Sequence, residues 1–392
     1  MMRHASSLST PSTSTSTLLA VAVRWLRTGL ILAAVISASC QPVQTPTSTS
    51  TPQADPTQPP TKTPVPTATI VRTPPALPET FQSAYLNPLD TPRTYIQDMC
   101  QYLKDKWDTA HARPGTVVMV IMFQSITKRV VESNDGITVR DFDKLMSSLK
   151  EQGFEAINMQ QLAGFLYHNE NIPWRSVLLL QDGRRRADNF NSNFRVYWQE
   201  WGWPVVNAWT SLPTTSESLW QENIRLEKEG WVDHQAYGIT VDVRLSDKSS
   251  DESLQKELKG SISAFEKYFD EKPIAFIWPL GSFGKRPVEA ARGLGYQLGF
   301  TMNARGPVLY NWIPLADIVD SDRPSYSPEG KINDPLMTLP RYWASQALRN
   351  IDNVRVIGEE ATTFAAQNKE VELEYYDIVC APQYGLIPAV AP

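Results

Sequence analysis

The stretch PIAFIWPLGSFGKRPVEAARGLGYQLGFTMN, residues 273–303, decides the fold class of this chain. It opens with an apolar run, residues 273–278, that predicts a buried strand, and a turn rich in proline and glycine follows. Residues 286–295 then have the pattern of a helix, and the apolar run at 296–300 predicts another strand. A strand, a helix and a strand in succession predict a βαβ unit whose two strands are parallel.

The same alternation extends back towards the N-terminus. Apolar runs that predict strands lie at residues 116–123, 154–159, 176–181, 204–209 and 231–241. Segments with helical periodicity precede, separate or follow them, at residues 91–107, 138–153, 160–168, 187–202, 216–230 and 251–269. Glycine-rich phosphate-binding motifs are absent from the sequence, which argues against a nucleotide cofactor. We therefore predict an α/β fold, a distorted parallel (β/α) barrel.

The first residues have the layout of an export signal. Arg24 and Arg27 precede a short apolar stretch at residues 30–36, and small residues then lead to Cys40. This order predicts that residues 1–39 are an export signal and that Cys40 is lipidated, as in a lipoprotein. Ser37 stands where such signals usually carry leucine, so ordinary cleavage after Ser39, with secretion, is the alternative.

Composition divides the rest of the chain into four parts. Residues 40–80 consist mainly of Pro, Thr and Ser and cannot bury enough apolar surface to form a core, so we predict a stalk. A helical extension at 81–113, a barrel at 114–345 and a C-terminal extension at 346–392 follow. The formal net charge is −5, which gives no reason to expect a nucleic-acid partner.

The chain contains 3 cysteines. If Cys40 carries a lipid, Cys100 and Cys380 remain as an even pair in an exported protein. We expect these two to form a disulfide, and two free thiols are the alternative.

Five segments in order resemble polysaccharide deacetylases of the NodB-homology type, carbohydrate esterase family four. They are VVMVIMFQSIT at 117–127, SVLLLQDG at 176–183, WVDHQAYGITV at 231–241, the stretch at 273–303 and MTLPRYW at 337–343. The resemblance spans about residues 114–341 and implies the same barrel.

The resemblance also implies a metal centre, and this chain departs from it. Such enzymes hold zinc or a similar divalent metal with one aspartate and two histidines, beside an aspartate that acts as general base. Asp182 retains the metal aspartate, and it is the one catalytic position retained. Gln181 occupies the base position, and Tyr237 and Val241 occupy the two histidine positions. We expect no metal cofactor, and we expect metal-dependent activity to be lost.

Histidines elsewhere are poor replacements for the missing ligands. The chain has 4 histidines. His234 is nearest to the third segment, but its parity along the strand is opposite to that of Tyr237. It is therefore expected to face another layer and to be a packing residue.

In parallel barrels the carboxyl ends of the strands build the binding site. The candidates for ligand binding that lie at these ends, or in the closing segment, are Gln124, Gln181, Asp182, Trp209, Tyr237, Trp278 and Arg341. The aromatic residues among them are candidates because a ring face can stack on a sugar. For Asp182 two roles stay open, ligand contact and a turn or ion-pair role beside Gly183.

Together these features predict an extracellular, surface-anchored protein with a deacetylase-like barrel that binds a polysaccharide or peptidoglycan glycan without catalysis. Its membrane contact would be through the lipid on Cys40. One alternative is a divergent carbohydrate N-deacetylase or esterase that hydrolyses N-acetyl groups. The second is a structural or interaction lipoprotein.

Overall fold

The computed structural model describes residues 72–131, 133–183, 186–319 and 327–388. The predicted export signal, Cys40 and residues 40–71 of the predicted stalk lie outside the described residues. Within the described ranges, no helix combines the length and the apolar character needed to cross a membrane.

The strands are short, and most are buried along their whole length. In chain order they are β1 (Thr91–Arg93), β2 (Val117–Phe123), β3 (Ser125–Thr127), β4 (Gly136–Thr138), β5 (Glu155–Ala156), β6 (Arg175–Asp182), β7 (Val205–Trp209), β8 (Val232–Ala236), β9 (Ala275–Ile277), β10 (Leu298–Phe300), β11 (Val308–Leu309), β12 (Ile313–Leu315) and β13 (Tyr342–Trp343).

Helices follow most of the central strands. They are α1 (Met99–Trp107), α2 (Val139–Glu151), α3 (Met159–His168), α4 (Ala187–Asn193), α5 (Arg195–Trp201), α6 (Glu217–Lys228), α7 (Asp251–Tyr268), α8 (Lys285–Gly293), α9 (Ala344–Tyr375) and α10 (Ala381–Tyr384), with a π-helix at Tyr376–Cys380.

The central sheet is curled and mainly parallel, which confirms the predicted fold class. Among the described residues its strand order is β10-β9-β8-β7-β6-β2-β11, with β13 also paired to β2 and β5 to β6. Residues 339–343 link the edge strand β10 with β2, because Leu339 bridges to Phe300 of β10 and Tyr342 pairs with Ile121 of β2. This segment brings Arg341 to the carboxyl ends of the strands.

Alternation along the strands divides the core into an inner and an outer layer. Val206 and Ala208 of β7 face the inner cluster, together with Leu178 and Leu180 of β6. The residues of opposite parity face the surrounding helices. Parity therefore decides whether a residue near a strand end faces the barrel interior or the helices.

The segments on either side of the barrel contact each other and the sheet. Helix α9 packs on β2 through Val354 and Ile357, which belong to the same buried cluster as Val117. Cys100 in α1 and Cys380 are joined by a disulfide, with their α-carbons 5.3 Å apart. The pairing expected from the cysteine count is thus present. Leu77, within the predicted stalk, packs against this same small cluster.

Two predicted helices differ from the structure in their bounds. Residues 91–93 form β1 rather than the start of a helix, because they pair with β12, and α1 begins at Met99 behind the N-cap Asp98. The predicted helix at 187–202 is two helices, α4 and α5, that meet at Phe194. Phe190 and Phe194 are buried in the outer core, as the helical spacing of the aromatic residues predicts.

Candidate functional site

Four elements deliver polar side chains to the carboxyl end of the curled sheet. Asp182 is the last residue of β6, and Gln124 directly follows β2. Tyr237 follows β8, and Arg341 precedes β13. Carboxyl ends of parallel strands meet at one edge, which is why residues so distant in sequence come together here.

The centre of this site is a buried ion pair between Asp182 and Arg341. The Arg341 Nη1 atom donates to Asp182 Oδ1 at 2.6 Å, and Nε donates to the carbonyl oxygen of Thr301 at 2.6 Å. The two side chains are 4% and 0% exposed for Asp182 and Arg341 respectively. Burial raises the pKa of Asp182, and the charge of Arg341 opposes that rise. Asp182 is therefore held by a protein cation.

Three buried polar atoms in or beside this pair have no hydrogen-bond partner among the described residues. They are Asp182 Oδ2, Arg341 Nη2 and Trp343 Nε1. Buried polar atoms are normally paired with protein or water, so these atoms keep hydrogen-bonding capacity that the described protein groups do not use.

The Gln181 side chain is engaged in hydrogen bonds within the protein. Its side chain is fully buried. The Nε2 atom donates to the carbonyl oxygens of Phe123, at 2.8 Å, and Asp182, at 3.1 Å, and Oε1 accepts from Asn189 at 3.4 Å. The structure thus places the predicted ligand-binding residue Gln181 away from solvent, where its amide joins β6 to β2 and to α4.

Tyr237 is half-buried beside the ion pair. Its hydroxyl accepts from the Leu280 backbone N–H at 3.4 Å. Burial and the nearby Asp182 carboxylate raise the pKa of Tyr237, so its phenol stays protonated at neutral pH. Gln124 is also half-buried, so Gln124 and Tyr237 are the predicted ligand-binding residues with surface at the site.

The side chains present do not fit a divalent metal at Asp182. Its Oδ1 is taken by Arg341. Val241, at the second histidine position, is 56% exposed and has no donor atom. Among the described residues, no group of three or more His, Cys, Asp or Glu side chains is placed to hold a metal ion. A single, already paired carboxylate is not a zinc site.

Trp209 and Trp278 were predicted to bind ligand, and the structure contradicts this. Both are 0% exposed and lie in the outer cluster beneath the helices. The Trp209 ring packs against Trp220 of α6 at 4.9 Å between centroids, and Trp278 Nε1 donates to the Met337 carbonyl oxygen at 2.8 Å. The alternation of side chains along a strand explains the error. Ala208 faces the barrel interior, so the next residue of β7, Trp209, faces the helices.

His234 is a packing residue, as its parity predicts. It is fully buried. Its Nε2 atom lies 3.0 Å from Asn223 Oδ1 of α6, and its Nδ1 atom contacts the Glu227 carboxylate.

Beside Asp182 the structure contains an open polar groove, which we call the α4 groove. It begins at Gly183 and has a volume of about 660 Å³. Its polar lining residues are Lys128, Arg186, Asp188, Asn189, Ser192 and Asn193. The apolar part of its wall is formed by Ile126, Val139 and Leu219. Asn189 connects the groove to Gln181 through the 3.4 Å hydrogen bond.

Sequence reasoning missed the α4 groove because it followed the aromatic residues of α4 and α5. The signal was on the other face of α4, where Asp188, Asn189, Ser192 and Asn193 recur at one and four residue spacings. Such a polar stripe is usual on a solvated helix, so only the structure shows that a cleft adjoins it.

No protein-family model matches the chain, and no curated protein matches it. Solved deacetylases are similar to it in fold at low identity. A Streptococcus pyogenes deacetylase in complex with acetate is 16% identical, with a TM-score of 0.46, and the match covers 61% of this chain and 97% of that chain. A de-N-acetylase from Aggregatibacter actinomycetemcomitans is 16% identical, with a TM-score of 0.46, and the match covers 61% of this chain and 99% of that chain. A polysaccharide deacetylase from Bacillus cereus is 16% identical, with a TM-score of 0.44, and the match covers 61% of this chain and 68% of that chain.

Proposed function

We propose that this protein binds a glycan without catalysis and that the glycan lies in the α4 groove, beside the closed Asp182–Arg341 pair. The observation that carries the proposal is the contrast between these neighbours. Asp182 is paired and almost fully buried, whereas the adjoining groove of about 660 Å³ is open and polar.

The lining of the α4 groove suits a sugar chain. Asn189, Ser192 and Asn193 offer amide and hydroxyl groups that can hydrogen-bond sugar hydroxyls. The apolar walls from Val139 and Leu219 can contact the less polar face of a pyranose ring. A groove with both kinds of surface is common in carbohydrate recognition.

The residues at the carboxyl end give no support to hydrolysis. A general base must accept a proton from water, and Gln181 is an amide whose Nε2 donates to backbone carbonyls. Asp182 is held by Arg341 at 2.6 Å and has little contact with solvent. A non-catalytic role is therefore favoured over the divergent hydrolase.

We further propose that the protein works outside the cell, held to a membrane by a lipid on Cys40, with secretion after cleavage following Ser39 as the alternative. The signal-like sequence at 1–39 supports export. The Cys100–Cys380 disulfide supports it independently, because such bonds persist mainly in oxidising compartments.

The test is a binding screen with the purified protein and a panel of neutral and charged oligosaccharides, read as thermal stabilisation and confirmed by calorimetry. A ligand that binds the native state raises the melting temperature. We expect at least one member of the panel to stabilise the protein, and a Ser192→Trp variant that fills the α4 groove to lose that effect.

Gln199→Trp is the matched control, because Gln199 is exposed on α5 and does not line the groove. It should bind as the unmodified protein does. Acetate release from N-acetylated oligosaccharides is measured in parallel and should not exceed the buffer blank. Stabilisation by no oligosaccharide, or turnover that a chelator abolishes, would overturn the proposal.

A further inference from the structure

The charges of the α4 groove distinguish it from the rest of the molecule. The chain carries a formal net charge of −5. Among its described lining residues the α4 groove nevertheless presents two cations, Lys128 and Arg186, and one carboxylate, Asp188. Both cations are exposed. The groove is thus locally positive in a protein that is negative as a whole.

Among the described residues, no carboxylate forms an ion pair with either of these two cations. Within the described ranges, neither Lys128 nor Arg186 has a carboxylate oxygen within 4.0 Å, whereas Lys150, Arg175, Arg195 and Arg292 all have one. Asp188 lies in the first turn of α4, where a carboxylate stabilises the helix, and its Oδ1 accepts from Ser192 at 3.3 Å. The positive charge is therefore available to a ligand.

Lys128 and Arg186 are placed where they could contact a glycan bound in the α4 groove. Lys128 follows β3, and Arg186 directly precedes α4, so they approach the groove from two different elements. Asn189, Ser192 and Asn193, which line the same groove, are neutral hydrogen-bonding groups. A sugar held by these neutral groups would place its acidic substituents within reach of the cations.

We propose that the α4 groove selects polysaccharides that carry negative charge, as uronic acid carboxylates or as phosphates, and that Lys128 and Arg186 provide this selectivity. The inference rests on the proposed function and adds the chemical class of the ligand. Arginine and lysine both suit carboxylate and phosphate, so the shared chemistry is an anionic group on a sugar chain.

The experiment is calorimetric titration of the purified protein with three probes: a galacturonic acid hexamer, an oligomer of glycerol phosphate bearing sugars, and a chitin hexamer as the neutral probe. We expect one or both anionic probes to bind at least about tenfold more tightly than the neutral one. That affinity should fall as salt rises from about 0.05 to 0.5 M, because exposed charges are screened. The two anionic probes distinguish carboxylate from phosphate as the recognised group.

The variant is Lys128→Gln/Arg186→Gln, and the control is Lys256→Gln/Lys259→Gln, which removes two exposed cations of α7 that do not line the groove. The first should weaken anionic binding by about tenfold and leave neutral binding unchanged. The control should bind as the unmodified protein does, and both should unfold at the same temperature.

The outcomes separate the two claims. Equal binding of neutral and anionic probes overturns the selectivity and leaves the proposed function standing. Anionic binding that the groove variant does not weaken, or that the control weakens equally, also overturns the inference. Binding of no probe overturns the proposed function, and the inference with it.

Discussion

Asp182 and Arg341 are separated by 159 residues in the chain, and the fold buries them against each other. Removing two charges from water costs several kcal/mol, which close contact and hydrogen bonding offset. Arg341 meets this requirement in part through its second hydrogen bond, to Thr301. Loss of either partner leaves the other charge buried and unpaired, so the pair tolerates single substitution poorly.

We therefore predict that Asp182→Asn lowers the free energy of unfolding by about 3–5 kcal/mol, and that Arg341→Met has an effect of similar size. From the sequence we would expect Asp182→Asn to alter ligand binding more than stability, and the buried pair reverses that order. Urea unfolding measures the change. The control is Lys285→Met, whose ion pair with Glu289 is exposed, and it should change stability by less than about 1 kcal/mol. A change of that small size in Asp182→Asn would contradict the argument.

A second group of carboxylates lies at the opposite end of the sheet. Burial and the neighbouring carboxylates Glu227 and Asp233 raise the pKa of Glu271 to about 7. Burial also raises the pKa of Asp233 to about 6. These three carboxylates line one cavity, and Lys272 lines it too, but its ammonium donates to the carbonyl oxygen of Leu294.

These values predict that stability falls as pH rises from about 5 to 8. A carboxyl whose pKa is higher in the folded state binds more protons there than in the unfolded chain, so folding is favoured at the acidic end of the interval. Glu271→Gln should flatten this dependence, by an amount that solvent screening keeps modest. Melting temperatures of both proteins across the interval test it. A variant whose profile is as steep as that of the unmodified protein would count against the assignment.

The sequence predicts which side of the sheet a residue faces when the alternation of side chains along its strand is taken into account, and the prediction fails when it is not. Parity placed His234 in the outer layer, and the structure agrees. Trp209 and Trp278 are candidates because they end strands and because their rings can stack on a sugar, and both lie in the outer core. The Asp182–Arg341 pair depends on closure of the barrel by residues 339–343, which no local pattern specifies.

At the scale of elements, helix α9 shows how the C-terminal part of the chain joins the barrel. Gly115, just before β2, lies directly against Gly358 of α9. A Cβ atom at Gly115 would lie 2.6 Å from the Gly358 carbonyl oxygen and 1.9 Å from Thr362 Oγ1. Gly115 also has φ of +86°, which side chains rarely adopt. The helix can approach the sheet this closely only because the residue is glycine.

Gly115→Ala should therefore destabilise the protein by about 1–3 kcal/mol or more, since strained backbone and close contact act together. Gly293→Ala is the control, because no atom lies within 4 Å of its added Cβ and the residue ends α8 with ordinary backbone geometry. That variant should keep or slightly increase stability. Equal melting temperatures for the two variants would show that α9 does not depend on this contact.

At the scale of the whole molecule, repeated strand and helix patterns predicted the barrel correctly because each βαβ unit is local in sequence. The apolar runs at 116–123, 176–181 and 204–209 correspond to strands β2, β6 and β7, which are parallel neighbours in the sheet in that order. The α4 groove was not predictable in this way. It forms where β3, the start of α2, α4 and α6 enclose a space, and a local pattern carries no information about that space.

The whole site, rather than single ligands, decides whether this barrel can hold zinc. Replacing Tyr237 and Val241 by histidine restores the ligand types that the resemblance implies. We nevertheless predict that Tyr237→His/Val241→His binds less than stoichiometric zinc. Arg341 still occupies Asp182 Oδ1 at 2.6 Å, and a side chain at position 241 projects into solvent, as the 56% exposure of Val241 shows.

Metal analysis after gel filtration, with Tyr237→Phe/Val241→Ala as the control, tests this prediction. A metal at the unpartnered Oδ2 atom of Asp182 would be repelled by the buried guanidinium on Oδ1, and zinc is held firmly only when three protein ligands converge on it. One equivalent of zinc retained by the histidine variant and absent from the control would show that Arg341 yields to the metal. In that case the Asp182–Arg341 pair would not be what keeps a metal from Asp182.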